Sequence, residues 1–383
     1  MPRRIVSTPT VTIAAVVFLS LLTGCFSSGK KPTGDRASRK SADTEDVVMV
    51  WPEPPNAPRI RFLRTLASET DLGRTMKASE TFRKFITGDK PEVSKLYQPR
   101  DVAVSDDGQR VYVSDYAQYL VFVFDLEKNE VRHLGIQKPF ARPFGVALDG
   151  EENLYVAEQA AKRIRVLNRN GDELRTITHE SLVRPTDLAI DRERGRLYVA
   201  DPATKDTEEH VIKVFDLDGE FVGTVGDGKG DCAGCLLFPT FVGLDGEGRV
   251  YVSNTLNARV EVFDAEAKYE RTIGHRGTVF GEFDKPKGVA VDSFGNVYVV
   301  DSGWSNVQIF NSAGDVLLFF GGRGTYPGLL RNPTGIAVDA NNRIYIADYL
   351  NYRVTVYELI NTVAEDSFID PDAPVEAVDL AAN

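Results

Sequence analysis

The chain has 383 residues, with 45 lysines and arginines against 56 aspartates and glutamates, and a net charge of −11. A surface of this sign repels phosphate backbones, so the composition argues against a nucleic-acid partner. The net charge does not show whether one face of the protein is locally basic. That question depends on where the basic residues lie in the sequence.

The first 24 residues have the features of a bacterial lipoprotein signal peptide. Two arginines at positions 3 and 4 precede an apolar run over residues 11–22, which is followed by Thr23, Gly24 and Cys25. A basic start, a short apolar core and small residues before a cysteine are typical of such signals, and the run is too short to span a bilayer. We expect Cys25 to be lipidated; an ordinary signal peptide that merely contains a cysteine is the alternative. Phe26, which is not the aspartate linked with inner-membrane retention, favours the outer membrane.

Composition divides the remaining chain into a tether, a repeat domain and a tail. Residues 25–57 are dense in Ser, Lys, Arg, Thr and Pro without an apolar period, which predicts a disordered tether after the lipidated cysteine. Residues 58–360 hold the repeats, and residues 67–95 form an insertion in which residues 79–86 favour a short amphipathic helix. Residues 361–383 carry six acids and no base, and we expect a disordered acidic tail.

A sequence unit that begins with a proline and contains a tyrosine at a nearly fixed position recurs six times in the repeat domain. Each copy opens at a proline and reaches a tyrosine about a dozen residues later. The prolines are Pro99, Pro143, Pro185, Pro239, Pro286 and Pro333, and the tyrosines are Tyr112, Tyr155, Tyr198, Tyr251, Tyr298 and Tyr345. The tyrosines are spaced by 43, 43, 53, 47 and 47 residues. Short strands repeated with this period indicate the blades of a β-propeller.

Each unit predicts four strands. The copy at Pro286 has alternating runs at residues 288–292, 297–300, 307–310 and 316–320, separated by Gly, Asn and Asp turns. The last copy has only three such runs before the acidic tail. Residues 60–66, Ile-Arg-Phe-Leu-Arg-Thr-Leu, resemble the fourth strands at residues 174–177 and 270–273. We therefore predict an all-β, six-bladed propeller whose last blade is completed by the N-terminal strand, which removes a free edge.

These units resemble the NHL-repeat β-propellers, whose motif is similar to P-x-G-V-A-V-D-x-x-G-N-V-Y-V-x-D-x-x-N-x-R-V. The copy at Pro333 matches nearly throughout, including Asp348, Asn351 and Arg353, whereas the copy at Pro185 departs most. The resemblance covers residues 58–360 and implies the fold. It does not imply one function, because propellers of this type serve as enzymes, RNA-binding modules and protein-interaction platforms.

Charged and aromatic residues recur where the blades should meet the central channel. Basic residues lie beside the opening prolines, acidic residues end the second strands, and aromatic residues follow in the next loops. This candidate binding face comprises Arg100, Asp115, Tyr116, Arg142, Glu158, Arg184, Asp201, Lys287, Asp301, Trp304, Asp348 and Tyr349. One interpretation is a charged ring that captures an anionic or polar ligand. The other is cross-strand ion pairing, because the first hairpin places Arg100 opposite Asp115 and Lys287 opposite Asp301.

The other two cysteines, Cys232 and Cys235, lie in the loop before Pro239. Haem attachment would require a histidine at position 236, which is a leucine, and a zinc site would require a second ligand pair. In an oxidising compartment we expect a disulfide between them, with redox activity as the alternative.

The sequence favours a binding protein over an enzyme. Some NHL propellers resemble the peptidylglycine amidating lyases, which hold zinc through three histidines. Here the four histidines share no blade position, and we expect surface histidines without a metal; they are His133, His179, His210 and His275. We predict a monomeric, membrane-tethered, non-catalytic propeller without a cofactor that binds an envelope protein or a small ligand. A metal-dependent lyase or hydrolase with its site at the central channel is the alternative.

Overall fold

The structure, a computed structural model, describes residues 49–73, 94–204, 207 and 209–362. The predicted signal peptide, Cys25, the helix at residues 79–86 and most of the acidic tail lie outside these residues. No described segment forms a helix with the length and apolar character needed to cross a membrane.

The described chain forms six antiparallel sheets arranged as the blades of a propeller. Strands β1 (Val50–Trp51) and β2 (Ile60–Leu66) come before the first full blade. Blade 1 contains β3 (Pro99–Val104), β4 (Arg110–Asp115), β5 (Leu120–Asp125) and β6 (Glu130–Leu134). Blade 2 contains β7 (Pro143–Leu148), β8 (Leu154–Glu158), β9 (Arg163–Leu167) and β10 (Glu173–Thr178). Blade 3 contains β11 (Asp187–Asp191), β12 (Arg196–Asp201), β13 (Val211–Asp216) and β14 (Phe221–Val225).

The second half of the ring repeats this order. Blade 4 contains β15 (Pro239–Leu244), β16 (Val250–Asn254), β17 (Arg259–Phe263) and β18 (Tyr269–Ile273). Blade 5 contains β19 (Pro286–Val291), β20 (Val297–Asp301), β21 (Asn306–Phe310) and β22 (Val316–Gly321). Blade 6 contains β23 (Pro333–Val338), β24 (Arg343–Asp348) and β25 (Arg353–Leu359), and two short 3-10 helices cover Glu69–Leu72 and Tyr349–Asn351.

The six-bladed fold and the N-terminal closing strand are both confirmed. Blade 6 has the strand order β1-β2-β25-β24-β23, and β2 pairs antiparallel with β25, Ile60 opposite Leu359 and Leu66 opposite Val354. Ile60 and Leu66 are fully buried, each in a different hydrophobic cluster, so β2 packs against both neighbouring blades. The propeller begins earlier than the predicted boundary at residue 58, because β1 adds a fifth strand and Trp51 packs edge-on against Tyr357.

The hydrophobic core is divided into six clusters, one between each pair of adjacent blades. The repeated tyrosines are buried in them, and in the last three blades their hydroxyl groups donate to the aspartate that closes the first strand. Tyr298 reaches Asp292 at 2.9 Å, and Tyr345 reaches Asp339 at 3.1 Å. The tyrosine therefore fixes the first hairpin of its blade, which explains why it recurs.

Candidate functional site at the channel mouth

The first strand of every blade faces the central axis, and each contacts the first strands of its two neighbours. Two sets of loops reach the same end of the channel: those between second and third strands, and those between consecutive blades. We call this end of the propeller the mouth face. The hairpins between first and second strands, and between third and fourth strands, form the opposite face.

The acidic residues of the predicted face are part of the propeller wall. Side chains at the ends of the second strands are fully buried; they are Asp115, Glu158, Asp201, Asp301 and Asp348. Each accepts a hydrogen bond from a backbone amide of the loop that enters its blade. Asp115 accepts from Tyr97 N at 2.6 Å, and Asp301 accepts from Asp284 N at 2.7 Å. These carboxylates hold the loops in place, because a buried amide without a partner would destabilise the fold.

The second interpretation, cross-strand ion pairing, is not what the described residues show, whereas capture of a ligand stays a prediction. Among the described residues, Arg100 and Asp115 form no salt bridge, and neither do Lys287 and Asp301. Three of the acids have other cationic partners: Asp201 lies 3.3 Å from Lys213 Nζ, Asp348 lies 3.1 Å from Arg353 Nε, and Glu158 pairs with Arg163. What remains at the channel mouth is a set of cations.

Arg100, Arg184 and Lys287 meet at the mouth without an ion-pair partner among the described residues. Burial, together with the positive charges of Arg100, Lys285 and Arg184, lowers the pKa of Lys287 to about 8. Burial likewise lowers the pKa of Arg100. The Nε atoms of Arg100 and Arg184 are buried and have no hydrogen-bond partner. Convergent cations with unused donors form an electrostatic environment suited to an anion.

Aromatic rings surround two of these cations. The Arg100 guanidinium carbon lies 4.1 Å from the ring centroid of Tyr349, 4.9 Å from that of Tyr116 and 5.3 Å from that of Phe144. The Arg184 guanidinium lies 4.7 Å from the Phe238 ring. Cation–π contacts replace part of the lost hydration without neutralising the charge. These rings therefore hold the arginines at the mouth and leave their charge available.

Of two other members of the predicted face, Arg142 lies at the exposed edge of this cluster and Trp304 lies away from it. Arg142 is exposed, and its guanidinium carbon lies 5.6 Å from the Tyr116 ring. Trp304 lines a groove of about 290 Å³ on the outer side of blade 5, together with Val279, Phe280 and Phe319. The structure thus divides the predicted residues between the channel mouth, the propeller wall and an outer groove.

The structure joins Cys232 and Cys235 in a disulfide, with their Cα atoms 5.0 Å apart. Cys235 is buried, while Cys232 is exposed on the mouth face. Arg259 holds this loop by donating to Cys232 O at 2.8 Å and pairing with Asp231 at 3.0 Å. The bridge therefore stiffens one of the loops of the mouth face.

A buried carboxyl pair in the channel was not predicted from the sequence. Asp101 and Asp187 lie on the first strands of blades 1 and 3, and their side chains hydrogen-bond to each other. Each also accepts from a backbone amide of the next blade, Asp101 from Val146 N at 2.8 Å and Asp187 from Val242 N at 2.9 Å. Burial raises the pKa of Asp101 to about 6, and burial together with the Asp101 charge raises the pKa of Asp187 well above its usual range.

A signal for this pair was present in the repeat. The third residue of the unit is glycine in three copies, at Gly145, Gly288 and Gly335, and aspartate in two. A Cβ on Gly145 would lie 2.5 Å from the Cα of Asp187, so the glycine permits the close approach of adjacent strands. An aspartate at the same third position of the repeat is therefore buried in the channel wall, because the neighbouring first strand lies close to it.

The expectation that all four histidines lie on the surface was wrong for one of them. His210 is buried, and its Nδ1 accepts from Phe238 N at 3.0 Å. Within the described part of the chain, no group of three or more His, Cys, Asp or Glu side chains is arranged to hold a metal ion. The described His, Cys, Asp and Glu side chains therefore do not come together as the ligands of a zinc or calcium ion.

Comparisons with known families agree with the fold. Residues 330–357 match the NHL repeat, residues 284–311 match a beta-propeller repeat, and residues 93–222 match the SMP-30/Gluconolactonase/LRE-like region. A search of curated proteins found no match to the sequence.

Solved structures similar to this chain carry different activities. A gluconolactonase from Xanthomonas campestris is 18% identical over 78% of this chain and 98% of its own, with a TM-score of 0.55. A protein of unknown function from Bacteroides thetaiotaomicron is 16% identical over 69% and 70%, with a TM-score of 0.54. Hydrazine synthase from Kuenenia stuttgartiensis is 18% identical over 71% and 82%, with a TM-score of 0.50. At these identities the likeness concerns the fold alone, and the chain is a six-bladed β-propeller that carries an NHL repeat.

Proposed function

We propose that this protein is a lipid-anchored, non-catalytic binding module of the bacterial cell envelope that takes an anionic ligand at the channel mouth. The observation that carries the proposal is the cluster of Arg100, Arg184 and Lys287, which converge on the channel without an ion-pair partner among the described residues. Arginines held by aromatic rings present a fixed, partly desolvated charge. Such a charge attracts an anion more strongly than a mobile surface lysine does.

Binding of a simple anion tests the mouth cluster. Inorganic phosphate is titrated by calorimetry into the full chain in detergent, and into variants with Arg100→Gln, Arg184→Gln or Lys287→Met. We expect each variant to lose about tenfold or more in affinity, because one charge-assisted hydrogen bond is removed. Lys268→Met, an exposed lysine on the opposite face, is the control and should bind as the wild type does. Equal affinity in all four variants would contradict the proposal.

The anchor is supported by residues 22–25, Leu-Thr-Gly-Cys, and tested by labelling with a fatty acid. Only a thiol accepts the thioether-linked diacylglycerol, so Cys25→Ala should abolish incorporation of the label. Cys232→Ser is the matched control and should be labelled normally. Continued labelling of the Cys25→Ala protein at its amino terminus would refute the anchor without affecting the anion site.

A metal-dependent hydrolase or lyase with its site at the channel is the alternative, and the match of residues 93–222 to the SMP-30/gluconolactonase region favours it. The described residues do not fit a metal site of three or more protein donors, so we derive no catalytic step. Metal analysis of the purified full chain separates the two functions. Stoichiometric zinc or calcium retained through dialysis would favour the enzyme.

A further inference from the structure

The exposed large apolar side chains are concentrated on the mouth face. Nine of the thirteen in the described residues lie in its loops; they are Tyr97, Tyr119, Ile136, Leu256, Val279, Phe280, Trp304, Tyr326 and Tyr352. The other four, Leu174, Phe221, Val222 and Phe319, lie on outermost strands. The described hairpin turns of the opposite face carry none. The apolar tips surround blades 1, 4, 5 and 6, so they form a broken collar around the channel mouth.

Charge is divided between the two faces in the same way. The described residues of the mouth-face loops expose eight cations and five acids. The cations are Lys95, Lys138, Arg142, Lys162, Arg276, Lys285, Arg323 and Arg331, and the acids are Asp71, Glu180, Glu209, Asp227 and Asp231. The opposite face exposes eleven acids and five cations in its described turns. A chain that is acidic overall thus presents a face rich in exposed cations and aromatic tips, with three further cations at its centre.

The directions of the strands in blade 6 show on which face the amino end of β1 lies. Strand β25 starts at the mouth face, after the loop at residues 349–352, and β2 is antiparallel to it, so β2 runs toward the mouth. Strand β1 is antiparallel to β2 and runs away from the mouth. The amino end of β1, at Val50, therefore points to the mouth face.

We infer that the mouth face docks on an anionic phospholipid surface, where the cluster of Arg100, Arg184 and Lys287 receives a lipid headgroup phosphate. This inference deepens the proposed function and rests on its anion site. Aromatic and aliphatic tips enter the headgroup region while arginines and lysines between them bind phosphate, which is the chemistry of a peripheral membrane surface. The exposed apolar side chains of the collar are separated from one another on one face of the propeller. This arrangement suits a planar membrane surface better than a protein partner, because a protein interface needs one contiguous apolar patch.

The fluorescence of Trp304 tests docking in the lipidated full chain. The sequence contains two tryptophans, so Trp51→Phe leaves Trp304 as the reporter on the mouth face. The protein is reconstituted on vesicles of brominated phosphatidylcholine, with or without brominated phosphatidylglycerol. We expect quenching of Trp304 to be several-fold stronger with phosphatidylglycerol, because the anchor is present in both cases and only the charge of the surface differs. Equal quenching on the two surfaces would overturn the inference.

Flotation of the same samples separates this inference from the anchor. Protein that fails to float with neutral vesicles would refute the anchor, whereas partition onto phosphatidylglycerol vesicles would still decide whether the mouth face docks. Relief of the Trp304 quenching by millimolar glycerol phosphate, with the protein still floating with the vesicles, would assign the site to a soluble anion instead and would overturn docking on lipid.

Substitutions on the two apolar regions provide the matched comparison. Ile136, Val279 and Tyr326 are the most exposed of the collar, at 68%, 64% and 74%, and their combined replacement by serine should lower phosphatidylglycerol-dependent quenching about tenfold. Leu174→Ser with Val222→Ser, both 48% exposed on outermost strands, should leave it unchanged. Equal loss in both sets would contradict docking through the collar.

Discussion

Asp101 and Asp187 share a hydrogen bond between their side chains inside the channel, although they belong to blades 1 and 3 and are 86 positions apart in the sequence. Strand β7 of blade 2 lies between them, and Gly145 allows the approach. Two carboxyl groups in contact require a proton between them, since two buried negative charges at this distance would repel each other strongly. The channel wall therefore contains a proton that the unfolded chain would release at neutral pH.

This pair should make stability fall as pH rises. The pKa of Asp101 is about 6 in the folded chain, against 3.8 for an unperturbed aspartate, and the pKa of Asp187 is raised as well. The folded chain therefore binds more protons than the unfolded chain from about pH 4 to pH 6 and above, and the free energy of unfolding decreases through that window. Urea unfolding at intervals between pH 4.5 and 8 measures the slope.

Asp101→Asn should flatten that slope and stabilise the protein at neutral pH by ~1–3 kcal/mol. The amide oxygen can still accept from Val146 N, and the amide nitrogen can donate to Asp187. Asp218→Asn, an exposed residue of the opposite face, is the control and should leave the slope unchanged. An unchanged or steeper slope in Asp101→Asn would show that the pair does not hold the proton.

The fold was predictable because each blade carries its own local signals, whereas the site depends on distant residues. Proline, tyrosine and turn residues fixed the strands, and the resemblance of residues 60–66 to fourth strands revealed the closing strand. The two residues of β1 were too short a pattern to recognise. Asp115 was placed correctly at the end of its strand, but its bond to Tyr97 N depends on the path of the incoming loop. The Asp101–Asp187 contact depends on the geometry of three blades.

Ring closure through β2 should account for much of the stability. Leu66→Ala removes a fully buried side chain from the cluster between blades 6 and 1 and should lower the free energy of unfolding by ~2–5 kcal/mol. Arg64→Ala changes an exposed residue of the same strand and is the control. Thermal melting with size-exclusion chromatography measures both. If the two variants melt at the same temperature, the closing strand is not essential to the ring.

The buried acids at the ends of the second strands should tolerate asparagine but not alanine. Asp301 accepts from Asp284 N, Lys285 N and Gly303 N at 2.7–3.1 Å, so Asp301→Ala leaves buried amides unpaired and should cost ~2–4 kcal/mol. Asp301→Asn should cost much less, because Asn254 occupies the same position in blade 4 and accepts from Leu237 N at 2.7 Å. Urea denaturation compares them, and equal losses would show that charge rather than hydrogen bonding is required.

Phosphate affinity should depend on the ionisation of Lys287. The pKa of this lysine is lowered to about 8, so its ammonium loses a proton as pH rises through that value in the unliganded protein. Only the protonated form attracts an anion, and affinity should fall by about tenfold or more between pH 7 and pH 9. A bound anion raises the pKa of Lys287, so the complex should lose its proton at a higher pH than the free protein. Calorimetric titrations with phosphate at several pH values test this, with Lys287→Met expected to show little pH dependence and Lys268→Met the full fall. A fall that persists in Lys287→Met would assign the titrating group to another residue.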